Sequence, residues 1–126
     1  LNNMIDKEIF ESYIESRAKI VADFKAGLKK NDDDFKDKLL KACPIAIGQI
    51  YERTVTRKTY IGEKTETSKW KVTSLSPNVD GCISVAGVKT KLNGEFGKRE
   101  FYMFTTSFGT DFAVDDHYKL ITDESM

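Results

Sequence analysis

The stretch KREFYMFTTSF, residues 98–108, decides the fold. On a ribbon of period two, Phe101 and Met103 fall on one side, and Tyr102, Phe104 and Phe108 on the other. A strand that is apolar on both faces is covered on both faces. One cover is expected from its own sheet curling over, the other from the helical N-terminal third of the chain. Phe101, Met103 and Phe104 should then all be largely buried.

Downstream, Gly109 breaks the strand, and DFAVDDHYKLI (111–121) reads as a turn and a short fifth strand, followed by a tail at 122–126. Upstream, Asn93-Gly94 is a strong hairpin signal. It separates a fourth strand beginning near Glu95 from a third, CISVAGVKTKL (82–92), which Gly87 interrupts at a bulge or bend. SPNVDG (76–81) is a turn, TSKWKVTSL (67–75) a second strand and GEKTE (62–66) a polar hairpin loop. The first strand is IAIGQIYERTVTRKTYIG, residues 45–62.

Before Pro44 the period changes to that of a helix. Phe10, Ile14, Arg17, Val21, Phe24 and Leu28 alternate spacings of four and three, and Ile9, Tyr13 and Ile20 widen the stripe. This predicts a helix over 5–29. Its stripe is a core-facing surface or the seam of a homodimer. Asn31 or Asp32 can cap a second helix over 32–42, which Pro44 ends. The acids at 32–34 do not make a calcium loop. Counted from Asp32, the fifth, sixth and twelfth positions are Lys36, Asp37 and Cys43, where an EF-hand needs an oxygen ligand, glycine and glutamate.

The fold class is therefore α+β: two N-terminal helices packed on a five-stranded antiparallel sheet. The order of GQIYE, WKVTSL, the Asn-Gly hairpin and the closing FAV and HYKLI segments resembles a small SH3-like β-barrel over residues 45–121. That resemblance implies a sheet curled until its edges disappear. The alternative is an open sheet with both helices on one face. With 126 residues the chain is read as a single domain, 1–44 helical and 45–121 barrel or sheet.

The composition is that of a soluble globular chain, 40% hydrophobic and 32% charged. No apolar run approaches the roughly 20 residues of a membrane span, and LNNMIDKEIF lacks the basic and apolar regions of a secretory signal. Cys43 and Cys82 are expected to be buried free thiols, as in a reducing compartment, so the location expected is cytoplasmic. Net charge is zero, but residues 45–110 carry 10 basic and 6 acidic groups, net +4, and residues 111–126 carry 1 and 5, net −4. Sixteen lysines against four arginines suit a phage-encoded or mobile-element chain.

No catalytic, metal or cofactor motif is found. Gly97-Lys98 is followed by Arg99 and preceded at the fifth place by Leu92, so it is no phosphate loop. Two cysteines and one histidine, far apart in sequence, cannot by themselves make a zinc site. His117 reads as a surface or capping residue, and a Cys43–His117 nucleophile pair has no support beyond its composition. The surface carries what signal there is. Arg53, Arg57, Tyr60, Lys69, Trp70, Lys71, Arg99 and Tyr102 interleave cations with aromatics on the expected sheet. Such a face can hold phosphates and stack bases. It can equally be a solvated basic face over a core that contains Trp70 and the tyrosines.

The reading favoured is a non-enzymatic protein-interaction module: an adaptor, inhibitor or assembly component with an unidentified protein partner. A homodimer through helix 5–29 fits the same reading. The alternative is a small barrel that binds DNA or RNA. An enzyme with a cryptic site ranks third.

Overall fold

The computed structural model describes residues 6–91 and 93–122. The expected helix start at Ile5, Leu92 and the tail beyond residue 122 lie outside the described residues. By its internal contacts the chain divides into two units, Leu1–Phe35 and Lys36–Met126.

One α-helix, α1 (Lys7–Ala42), replaces the two expected. Asp6 caps it, its Oδ1 accepting the Ile9 N–H at 2.9 Å. The predicted break at Asn31–Asp34 does not occur. A capping residue ends a helix only where the chain turns away, and no glycine or proline lies between Leu28 and Cys43 to make it do so. Lys29 and Asp33 instead join across the proposed break at 2.9 Å, one turn apart on the same face. That hydrogen bond and the Asp33 charge hold the Lys29 pKa above its ordinary value. Pro44 does end the helix, as read.

In the first unit the apolar stripe is not core. Phe10, Ile14, Ile20, Val21, Phe24 and Leu28 are each 41–66% exposed.

The second unit is built on five antiparallel strands: β1 (Ile50–Thr59), β2 (Gly62–Pro77), β3 (Cys82–Lys89), β4 (Phe101–Ser107) and β5 (Tyr118–Thr122). Their order is β4-β3-β2-β1-β5, so β4 and β5 are edges. The sheet is open and does not close into the SH3-like barrel. The α+β class stands.

GEKTE is not a loop. It lies in β2, and β1 pairs with β2 in unbroken register from Ile50↔Lys71 to Thr59↔Gly62. The turn is made instead by Tyr60 and Ile61, with Gly62 at φ 128 supplying the left-handed backbone that a side chain resists. Threonines and charges on both arms suit a hairpin that is exposed on each face. Asn93-Gly94 does turn, with Gly94 at φ 87 and its N–H on Lys91 O at 2.9 Å. Among the described residues a single isolated bridge, Thr90↔Phe96, flanks it, and β4 starts later than expected.

Two register shifts face each other across β3. Val72 and Ser74 pair with Gly87 and Ala86, leaving Thr73 as the extra residue of β2. Phe104 and Tyr102 pair with Val85 and Ala86, leaving Met103 as the extra residue of β4. A bulge resets the alternation of side chains. Met103 and Phe104 are both buried, and Phe101 and Tyr102 are both exposed. The expected burial of Phe101 thus fails, at 46% exposure. A Cβ on Gly87 would run into Lys71 O and would lie 2.8 Å from Met103 Sδ. The interruption read at Gly87 does not occur, since β3 runs through it from Cys82 to Lys89; the bulges lie in the two neighbours that crowd its backbone. Glu100 fastens the β2 bulge, accepting from Thr73 Oγ1 at 2.5 Å and Ser74 Oγ at 3.1 Å.

The core has two parts. Ile45, Tyr51, Trp70, Val72, Val85, Met103, Phe104 and Tyr118 form the larger. Leu39, from the last turns of α1, packs with Ile83 and Phe112 in the smaller, and Cys43 and Leu75 touch both. The link from α1 to β1 is tied by buried Gln49. Its Oε1 accepts from Ala46 N at 3.0 Å and Tyr51 Oη at 2.9 Å, and its Nε2 donates to Pro44 O at 3.1 Å.

Candidate interaction surfaces

The residues singled out in sequence do not form one face. Tyr51 pairs with Trp70, so alternation places Arg53 and Arg57 of β1 on the face of Trp70. Lys69 and Lys71 of β2 point to the opposite face. Lys71 Nζ lies 5.9 Å from the ring centre of Phe96. Trp70 is buried, with Nε1 donating to Ser68 Oγ at 3.1 Å, and is closed to a stacking base. Tyr60 stands fully exposed at the β1–β2 turn. Arg99 precedes β4 with its guanidinium 5.0 Å from the Phe101 ring centre. Tyr102 is exposed on β4, its hydroxyl 2.8 Å from Thr105 Oγ1.

Two of them meet in a cleft. Arg53, Arg57, Lys89 and Lys91 line a depression of about 710 Å³ together with Val55 and Ser68. Thr67 and Thr90 add hydroxyls, and Glu66 is the one acid in the lining. Arg57 approaches Glu66 at 3.9 Å with both side chains in water, a weak pair. Arg53 sits 5.9 Å from the ring centre of Tyr118. Burial pushes the Tyr118 phenol above its ordinary range, and the Arg53 charge partly offsets this. Sequence reasoning missed Lys89 and Lys91. Lys89 belongs to the cleft because β3 sets it opposite Trp70, a register no local pattern reveals.

His117 is exposed and is held by Asp115. Asp115 Oδ1 accepts the His117 backbone N–H and faces its Nδ1, both at 2.9 Å. These bonds hold the Asp115 carboxyl below its ordinary range. The arrangement is a turn, with Thr54 N donating to His117 O at 2.9 Å. Cys43 and Cys82 are free thiols, half-buried rather than fully buried. Burial pushes the Cys43 thiol up, while burial and the Asp80 carboxylate do so for Cys82. Among the described residues no cluster of three or more His, Cys, Asp or Glu is placed to hold a metal ion. Among them also, no helix is long and apolar enough to cross a membrane.

The other surface lies on the first unit. The four–three spacing that begins at Phe10 runs unbroken along α1 to Leu28, and continues through Asn31 to Phe35. These are a and d positions of a heptad. Ile14, Ala18, Val21 and Ala22 line an apolar depression of about 520 Å³ on this helix, with Arg17 and Lys25 at its rim. No family model, curated protein or solved structure matches the chain.

Proposed function

We propose that this protein is a non-enzymatic interaction module that docks on protein through the apolar stripe of α1. One observation carries the reading: the stripe is exposed from Phe10 to Leu28. A contiguous apolar surface in water marks an interaction site, and a helix that offers anchors every three and four residues fits a groove or another helix. The two fully exposed side chains at the hairpin turn, Tyr60 and Ile61, make a smaller secondary patch.

A photo-reactive residue in place of Val21 tests the reading in native lysate, with the same residue in place of exposed Thr56 as the control. Docking predicts an adduct of defined mass at the first position, abolished by Ile14→Asp/Phe24→Asp. No adduct at position 21 would overturn it.

A second reading is favoured by the cleft. Four cations beside one acid, with hydroxyls between them, suit the phosphates of a nucleic-acid strand. With Trp70 buried and Lys69 and Lys71 facing away, the bases would lack the stacking platform that the sequence suggested. Oligonucleotide binding at two salt concentrations, for wild type and Arg53→Ala/Arg57→Ala, tests it. Each lost phosphate contact lowers the log–log salt slope by about 0.7 to 0.9.

A further inference from the structure

We propose that the occupant of the α1 stripe is α1 of a second copy of this chain, laid antiparallel about a two-fold axis at Lys19. The inference rests on the docking reading above and names its partner.

The first argument is the period. A 3.5-residue apolar repeat keeps facing a partner helix that coils around it, and a two-fold pair uses the same stripe on both sides. The second is direction. A parallel, in-register pair would set Arg17 against Arg17 in the seam, and Asp6 beside Glu11 at its flank. Both juxtapositions join like charges, and no opposite pair offsets them.

Reversing one helix removes both; it sets Asp6 against Asp34 at the outer ends, a like-charge pair that the more central Glu11–Lys25 pairs offset. Phe10 then lies on Leu28 of the second copy, Ile14 on Phe24 and Arg17 on Val21, each contact made twice. A large side chain meets a smaller one or a flexible one in every layer. At the flanks Glu11 faces Lys25, Tyr13 faces Gly27, and Ile20 meets Ile20. Arg17 already leans along its own helix, Nη1 to Tyr13 Oη at 3.5 Å, so its stem can cover Val21 while its charge stays at the edge.

The third argument is shape. The depression between Ile14, Ala18, Val21 and Ala22 straddles the proposed axis. Ala18, one turn from Ile14, leaves the space that the Phe24 ring of the second copy requires. Gly27 has nothing within 4 Å of where a Cβ would stand, which leaves room for Tyr13 opposite. Glu11 meets Lys7 of its own helix at 3.9 Å with both side chains in water, a weak pair that does not compete strongly with Lys25.

Light scattering on the purified full chain, from low micromolar to several hundred micromolar, reads the result. A dimer is expected. Glu11→Lys and Lys25→Glu should each weaken it by about fivefold, and the double exchange should restore it. All of these residues are exposed, so the variants keep the fold. A monomer at every concentration overturns the self-pairing, and so does a trimer. A dimer that Glu11→Lys strengthens would be parallel and would also overturn it. So would a dimer that survives Ile14→Asp/Phe24→Asp. If the chain is monomeric yet position 21 labels a different protein, only the identity of the occupant is wrong. If position 21 labels nothing, docking itself fails.

Discussion

The ring of Phe104 on β4 lies 5.1 Å from that of Tyr118 on β5, centre to centre, with the planes tilted by 44°. These strands are the two edges of the sheet and share no ladder. The sheet is therefore curled enough for its edges to meet through side chains while their backbones stay unpaired. Tyr51, on β1, completes the group, edge-on to Phe104 at 6.0 Å.

Phe104→Ala should cost roughly 3–5 kcal/mol, because it empties the point where the edges converge. Phe101→Ala, three residues away but exposed, should cost less than about 1 kcal/mol. Urea titration of both variants checks this. Equal losses would mean that Phe101 is as deeply packed as Phe104.

Two glycines should respond with opposite sign. Gly87→Ala forces a methyl group against Lys71 O and Met103 Sδ, and should destabilise by roughly 1–3 kcal/mol. Gly27→Ala has open space within α1 and, at concentrations where the chain is monomeric, should stabilise the helix by about 0.5–1 kcal/mol. Thermal melts of the two variants settle the comparison.

Both thiols should be poor nucleophiles at neutral pH, since each pKa is pushed up. Alkylation of the folded protein should be slower than that of a small free thiol and should accelerate as the pH rises. After unfolding without reductant, mass spectrometry should find both cysteines modified. Finding neither would mean a bridge.

The Asp115–His117 turn should show in the acid limb of stability. The folded carboxyl has a lowered pKa, so it binds its proton less readily than in the unfolded chain. The stability it contributes is complete above the ordinary aspartate range and is lost as the pH falls through the depressed value. The difference in melting temperature between wild type and Asp115→Asn should accordingly shrink toward strongly acid pH. A difference independent of pH would mean that the charge contributes nothing.

The sequence by itself determined what depends on neighbours along the chain. The helical and extended periods, the stop at Pro44, the turn at Asn93-Gly94 and the count of five strands all follow from local spacing and backbone chemistry. Tertiary structure decided what depends on partners far along the chain. A helical stripe reads the same whether it faces a core or water, so the exposure of Phe10 to Leu28 was not legible. Asn31 to Asp34 could cap a helix or lie within one, and the continuing backbone ladder decided it. The bulge at Met103 arises from pairing with β3, and its extra residue is what lets the consecutive Met103 and Phe104 both be buried. The basic cleft needed the register that sets Lys89 beside Trp70, which fixes where charges converge but is written in no single stretch of sequence.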